Sequence, residues 1–291
     1  AETKQLVWGD ANWAFDKDSG VLTIASGQLD EAKDSPWNRN DDKKIDKKQI
    51  KKIIFTGATK APKNSRSLFE DLNNLTEIDG LTNLDTSEVT DMSKMFYDCY
   101  ALTKLDLSNF NTTKVTTIAD MFFYCVSLET LDLSKFNTKN ITHMGGMFQE
   151  CKSLKSLDLS GFDTSKVTTM EKMFKKTSLS SLKLSNKFRF IGSDSQLPVP
   201  TALTPGDQLT GKWIKKNRNS FAHSPEGFMR EYGKNNMTAG TYVAEIKSPL
   251  VWGDAPWSFD ADSGTLTVES GRLEDTANSP WNRKDDKAID K

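Results

Sequence analysis

Phe96, Phe122, Phe148 and Phe174 stand 26 residues apart, as do Met95, Met121, Met147 and Met173. Cys99, Cys125 and Cys151 keep the same step. A fixed period of this length marks a solenoid, a stack of supersecondary units in which each unit buries its apolar face only against its neighbours. In a chain of 291 residues this predicts an elongated repeat domain closed by caps.

The period carries its own local pattern. MFYDCYALTKLDLSNF, from Met95 to Phe110, returns as MFFYCVSLETLDLSKF and MFQECKSLKSLDLSGF. Apolar residues at i, i+3 and i+5 predict short strands beginning at Ile50, Leu75, Leu102, Leu128, Leu154 and Leu179. The repeat from Leu75 is one residue longer than the 26-residue period and the one ending at Leu179 one residue shorter, as expected where regular stacking begins and stops. Val89, Val115, Ile141 and Val167 add a second apolar stripe. The i, i+3, i+4 spacing of Met92, Met95 and Phe96, and of Met170, Met173 and Phe174, predicts one face of a short helix in each unit.

The flanks read as caps. In LVWGDANWAFDKDSGVLTI the runs WAF and VLTI enclose a turn ending at Gly20, a hairpin signal. After Ser185 a Pro-, Gly- and Ser-rich exit loop leads to KWIK and GTYVAEI, with a short helix between them that Ser224 would cap and Pro225 begin. From Leu250 the chain matches Leu6–Lys47 at an offset of 244, with about two-thirds of the positions identical. The expected division is 1–49, an amino-terminal β cap; 50–190, the repeats; 191–247, the exit loop and an α+β carboxy-terminal cap; and 248–291, a second copy of the first cap. Trp252, Trp257 and Phe259 of that copy, without a repeat strand beside them, are expected to be partly ordered at best or to find apolar cover elsewhere. Ala1 in place of methionine is expected of a processed or excised chain.

Composition excludes several functions. A formal net charge of -1 gives no bulk attraction to nucleic acid or anionic lipid. No apolar run approaches the roughly 18 residues of a spanning helix, so membrane insertion is not expected. Three cysteines at one repeat position, with Thr177 in the fourth, are expected to be buried structural thiols. His143 and His223 lie apart, without a nucleophile motif, phosphate loop or metal-ligand cluster. DKDSG and DADSG lack the downstream glutamate of a calcium loop and fit hairpin turns. Neither catalysis nor a cofactor or metal is expected.

Because strand side chains alternate, L-x-x-L-D-L-S turns its leucines inward and leaves Lys104, Asp106, Ser108, Asp132, Ser134, Asp158, Ser160 and Lys183 on one exposed face. Three readings arise for this column. Its carboxylates are relaxed by serine hydroxyls, Lys183 and water, or they form a shallow surface for a cationic or hydroxyl-rich ligand, or they hold calcium, against which stand the sparse acidic residues of the other columns. Tandem copies of a binding surface would also add weak contacts through avidity.

The motif MFxxCxxLxxLDLSxFxT at 95–112, 121–138 and 147–164, with WxFDxDSGxLT and SPW near the amino terminus, resembles the BspA-like leucine-rich repeats of bacterial surface proteins, in their 26-residue Gram-positive branch. The resemblance covers most of residues 6–190 and the final 42. It implies an α/β leucine-rich repeat solenoid and an extracellular, wall-attached protein. It also implies adhesion to host or bacterial surface ligands, protein or glycan, met through the solenoid strand face or the cap loops. The rival expectation is a spacer that projects another domain from the wall, with module-to-module contacts in tandem.

Overall fold

The computed structural model describes residues 6–216, 221–234, 237–247, 250–260, 262–284 and 288–289. The chain divides into two compact units, Ala1–Glu245 and Ile246–Lys291. The expected start of the second cap at position 248 lies outside the described residues. The architecture is one of small β sheets with little helix.

In the first unit, β1 (Val7–Trp8), β2 (Ala11–Asp16) and β3 (Val21–Ile24) form an antiparallel meander. Gly20, at φ 74°, supplies the left-handed residue the tight turn requires. β4 (Gly27–Gln28) follows. β5 (Lys52–Phe55) then pairs parallel with β3, so the cap sheet and the first repeat strand are one sheet. Alternation in β5 sends Ile53 and Phe55 into the core. β6 (Thr59–Lys60) joins β4, while β7 (Glu77–Asp79) extends the main sheet to five strands. β8 (Leu84–Asp85) completes a second, three-stranded parallel sheet with β4 and β6.

Farther along, β9 (Ser156–Leu159) and β10 (Ser181–Leu184) pair parallel. The cap follows with β11 (Leu209–Lys215), α1 (Pro225–Glu231) and β12 (Gly240–Ile246), and β12 lies antiparallel on β10. The Ser224 hydroxyl accepts from the Gly227 N–H and proline sits in the first turn of α1, which satisfies one of its orphan donors. Phe228 of α1 and Trp213 of β11 are buried with Tyr242 in an aromatic cluster over the end of the core.

Two expectations need correction. The segments from Leu102 and Leu128 are not assigned as strands; Glu129 N–H still donates to the Thr103 carbonyl at 3.1 Å, but no ladder forms there among the described residues. The Met-Phe segments are not helices either. They are linked turns, 92–95 and 96–99 in the first of them, each with a left-handed third residue, Lys94 at φ 57° and Asp98 at φ 56°.

Backbone donors explain this choice. The N–H groups of Met95, Tyr97 and Cys99 close local turns, whereas those of Lys94, Phe96 and Asp98 reach the carbonyls of Ala119, Met121 and Phe123 in the next unit. A helix would spend every donor internally. The alternating turns leave half for stacking, and the same pattern recurs at Asp120, Phe122 and Tyr124. A rung of parallel bridges, Asn64 to Asp91 to Thr117 to His143 to Thr169, runs beside it.

Side chains complete the column. Phe69, Phe96, Phe122, Phe148 and Phe174 are fully buried and follow one another at ring separations of 5.5, 5.8, 6.1 and 6.1 Å. Trp37 of the amino-terminal cap closes one end of the column on Phe69 and Phe190 meets the other on Phe174. The thiols of Cys99, Cys125 and Cys151 are buried and donate to the carbonyls of Phe69, Phe96 and Phe122, each in the preceding unit. Burial pushes all three thiols up, Cys151 to about 12, so at neutral pH they are donors and not nucleophiles. Thr177, in the fourth unit, instead donates to Phe174 of its own turn.

The F-[ND]-T step has a similar cause. The buried hydroxyls of Thr112 and Thr138 donate to the carbonyls of Asn137 and Asp163 and accept from the N–H groups of the same residues. Each threonine is therefore satisfied in both directions across a unit boundary.

In the second unit, β13 (Val251–Trp252), β14 (Ala255–Asp260) and β15 (Thr265–Val268) form a three-stranded antiparallel sheet with the register of β1, β2 and β3. Of its aromatics, Trp257 is buried, Trp252 is half-buried and Phe259 is exposed.

Candidate functional site

The exposed strand face is where alternation places it. Lys104, Asp106, Ser108, Asp132, Ser134, Asp158, Ser160 and Lys183 are all exposed, while Leu107, Leu133, Leu157 and Leu159 beside them are buried. Lys183 stands opposite Asp158 in the β9–β10 register, with Nζ 4.0 Å from the carboxylate. This is an exposed pair and a weak one.

The aspartates have local duties. The Ser108, Ser134 and Ser160 N–H groups donate to Asp106, Asp132 and Asp158 at 3.0, 2.9 and 2.9 Å, and the Ser108 hydroxyl adds a bond of 2.6 Å to Asp106. Each carboxylate thus closes the turn by which the chain leaves the strand. The hydroxyl of Ser108, then its N–H, holds Asp106 below the usual carboxylate range; Ser134 does the same for Asp132.

A depressed folded value means that the stabilisation is complete above the ordinary value of 3.8 and fades as pH falls through the lower folded one. Ser108→Ala is expected to raise the Asp106 pKa toward that ordinary value, read by NMR titration of its carboxyl carbon. An unmoved titration would show that the hydroxyl does not hold the charge.

Between β7 and the segment 104–108 the sheet opens into a cleft of about 510 Å³. Glu77, Asp79, Gly80 and Thr82 line one side, Lys104, Asp106 and Ser108 the other, with Asp132 beyond. Four carboxylates and one ammonium give this cleft an acidic balance, although Glu77 also reaches Lys52 at 3.5 Å. The cleft brings Lys104, Asp106, Ser108 and Asp132 of the expected column together and leaves out Ser134, Asp158, Ser160 and Lys183.

The opening coincides with the longer repeat. Ile78 and Asp79 precede Leu105 and Asp106 by 27 residues, but Thr86 precedes Thr112 by 26. The extra residue is taken up by Gly80, at φ 71°, and the 3-10 turn Leu81–Asn83. On either side of the cleft the units stay tied, by Asn73 Nδ2 to the Asp98 carbonyl at 3.1 Å and by Asn109 Nδ2 to the Thr82 carbonyl at 2.7 Å. Glu77 and Asp79 are wall residues that the reading of the exposed column passed over. Their signal was the 27-residue step that aligns Asp79 with Asp106.

The two histidines do not meet. His143 is a rung of the bridge ladder, with Nδ1 2.8 Å from the Thr142 hydroxyl, and His223 bridges Trp213 in the carboxy-terminal cap. Among the described residues no group of three or more His, Cys, Asp or Glu side chains is placed to hold a metal, and no helix is long and apolar enough to cross a membrane.

The family described as "Mycoplasma protein of unknown function, DUF285" matches residues 63–187. These are the repeats themselves. Among solved structures, a leucine-rich cell surface protein from Faecalibacterium prausnitzii A2-165 is similar at 16% identity, over 75% of this chain and 60% of that one, with a TM-score of 0.31. The matched region is thus less than two-thirds of that protein's length. No curated protein matches.

Proposed function

We propose that this chain is a leucine-rich repeat solenoid acting as a non-catalytic binding module on a bacterial cell surface, and that it meets a macromolecular partner at the opening in its strand face. The observation that carries the reading is the acidic cleft between β7 and residues 104–108, where four carboxylates and Lys104 converge. A cleft of this breadth, with charged walls and backbone on both sides, suits an extended segment bearing cations or hydroxyls, such as a basic polypeptide stretch or a glycan. The match of the repeats to a family of bacterial origin supports the setting.

A second reading, a spacer that holds another domain away from the cell wall, is favoured by the turn-closing bonds of Asp106, Asp132 and Asp158. Those bonds give the column a structural reason to exist without a ligand.

The two readings separate in one experiment. The chain is screened against arrays of glycans, mucin and matrix proteins, and each hit is repeated with Lys104→Ala, Asp79→Asn and Asp132→Asn combined. Asparagine at 132 keeps an oxygen for the Ser134 N–H and removes only the charge. Binding about ten-fold weaker with an unchanged melting temperature is expected for a site at the cleft. Equal binding by the triple variant removes the cleft from the site, and silence on every array favours the spacer.

A further inference from the structure

The two copies of the cap have the same fold and different surroundings. In the first, β3 lies between β2 and β5, and Leu22, Ile24 and Leu29 are buried. In the second, β15 ends its sheet and, among the described residues, pairs only with β14. At the offset of 244, Ile24 becomes Val268, now 38% exposed, and Leu29 becomes Leu273, 48% exposed. Trp8 and Trp37, both buried, become Trp252 and Trp281, both half-buried. The pair geometry is nevertheless kept, with ring separations of 5.3 Å in each copy and interplanar angles of 76° and 75°. The second cap is therefore built like the first.

The glycine at the head of the strand reports what differs. A Cβ on Gly20 would press on the Gln49 carbonyl and the Lys51 side chain, whereas one on Gly264 would meet nothing within 4 Å, although both glycines are left-handed, at φ 74° and 67°. In the first cap that space is filled by the chain entering β5. Lys51 N–H donates to the Gly20 carbonyl at 2.8 Å and Thr56 N–H to the Ile24 carbonyl at 3.0 Å.

From this comparison we infer that β15 is a strand-acceptor site. Its occupant is an extended segment running parallel to it, with apolar side chains at the spacing of Ile50, Ile53 and Phe55: the opening strand of a repeat array. Such a strand adds backbone bonds along the edge and covers Leu266 and Val268, as Ile53 and Phe55 stand opposite Leu22 and Ile24. An exposed apolar edge of this kind otherwise invites pairing with whatever strand is available. The inference does not depend on the reading of the strand-face cleft, which lies in the first unit.

The test adds a synthetic peptide spanning Lys48–Ala58 to the full chain and follows amide hydrogen exchange. Saturable protection confined to residues 264–270, with exchange slowed about ten-fold and β3 unchanged, is the expected result. The same peptide carrying Ile53→Asp is expected to give none. On the protein side, Val268→Asp alters an exposed side chain and is expected to abolish protection while β14 remains ordered. Three outcomes overturn the inference. These are no protection at millimolar peptide, equal protection by the Ile53→Asp peptide, and protection of 264–270 without peptide in a species that sediments as a dimer. The last would assign the edge to a second copy of the chain.

Discussion

Phe122→Ala is expected to destabilise the first unit by about 3 to 5 kcal/mol, among the largest effects of any side-chain truncation in the chain. The ring is fully buried between Phe96 at 5.8 Å and Phe148 at 6.1 Å, with interplanar angles of 1° and 8°. Removing it opens a cavity against two neighbours at once. In a stack stabilised by nearest-neighbour interfaces, both contacts of the central unit weaken together. The backbone around Phe122 limits collapse into the space, because its N–H is held by Met147 and its carbonyl by the Cys151 thiol.

Phe123→Ala is the internal control. That ring is half-buried and lies on Tyr97 at 4.7 Å, so its loss is expected to cost no more than about 1 kcal/mol. Urea denaturation of the two variants decides the matter. Equal midpoints would mean that the 26-residue register does not place Phe122 in the column.

Much of this architecture could be read from spacing, and the failures are informative. The inward leucines, the paired cap strands around Gly20 and the capped helix at Ser224 all follow from short-range chemistry. The Met-Phe segment did not. Apolar residues at Met92, Met95 and Phe96 satisfy the spacing of a helical face, but they also satisfy a pair of linked turns, and only the destination of alternate N–H groups separates the two. No glycine marks the left-handed positions of these turns except Gly146; Ser67, Asp71, Lys94, Asp98, Asp120, Tyr124, Glu150, Lys172 and Lys176 occupy the others. Stacking in the next unit overrides the ordinary preference of those residues.

The candidate site was legible in part for the same reason. Side-chain alternation puts Lys104, Asp106 and Asp132 on the exposed face, but it treats every step of the ladder as equal. The cleft lies at the step of 27 residues, whose extra residue goes into the turn at Gly80. The bonds from Ser108, Ser134 and Ser160 change the meaning of the aspartates from spare charges to turn closures, to which any ligand role is an addition.

Gly80→Val carries the second large effect, about 3 kcal/mol or more of destabilisation. Two costs combine. A β-branched residue at φ 71° is a steric outlier, a conformation that costs roughly 1 to 3 kcal/mol. Its Cβ would also strike the carbonyl oxygen of Phe55 in the preceding strand. That atom is backbone, fixed in β5 and already accepting from Asn83 Nδ2 at 2.9 Å, so it cannot yield as a flexible side chain would. Relief requires β7 to move from β5, which reshapes the cleft wall at Glu77 and Asp79.

Gly161→Val provides the comparison. This glycine follows the strand exit three units later, has no left-handed φ, and a Cβ there approaches only the Phe136 carbonyl, at 4.0 Å. Its effect is expected to stay within about 0.5 kcal/mol. If thermal melts show Gly80→Val to be as mild as Gly161→Val, the extra residue is not accommodated at Gly80 and the opening of the sheet needs another cause. If Gly80→Val melts early while Gly161→Val does not, the insertion that opens the cleft is also the point at which the regular stack is joined to its cap.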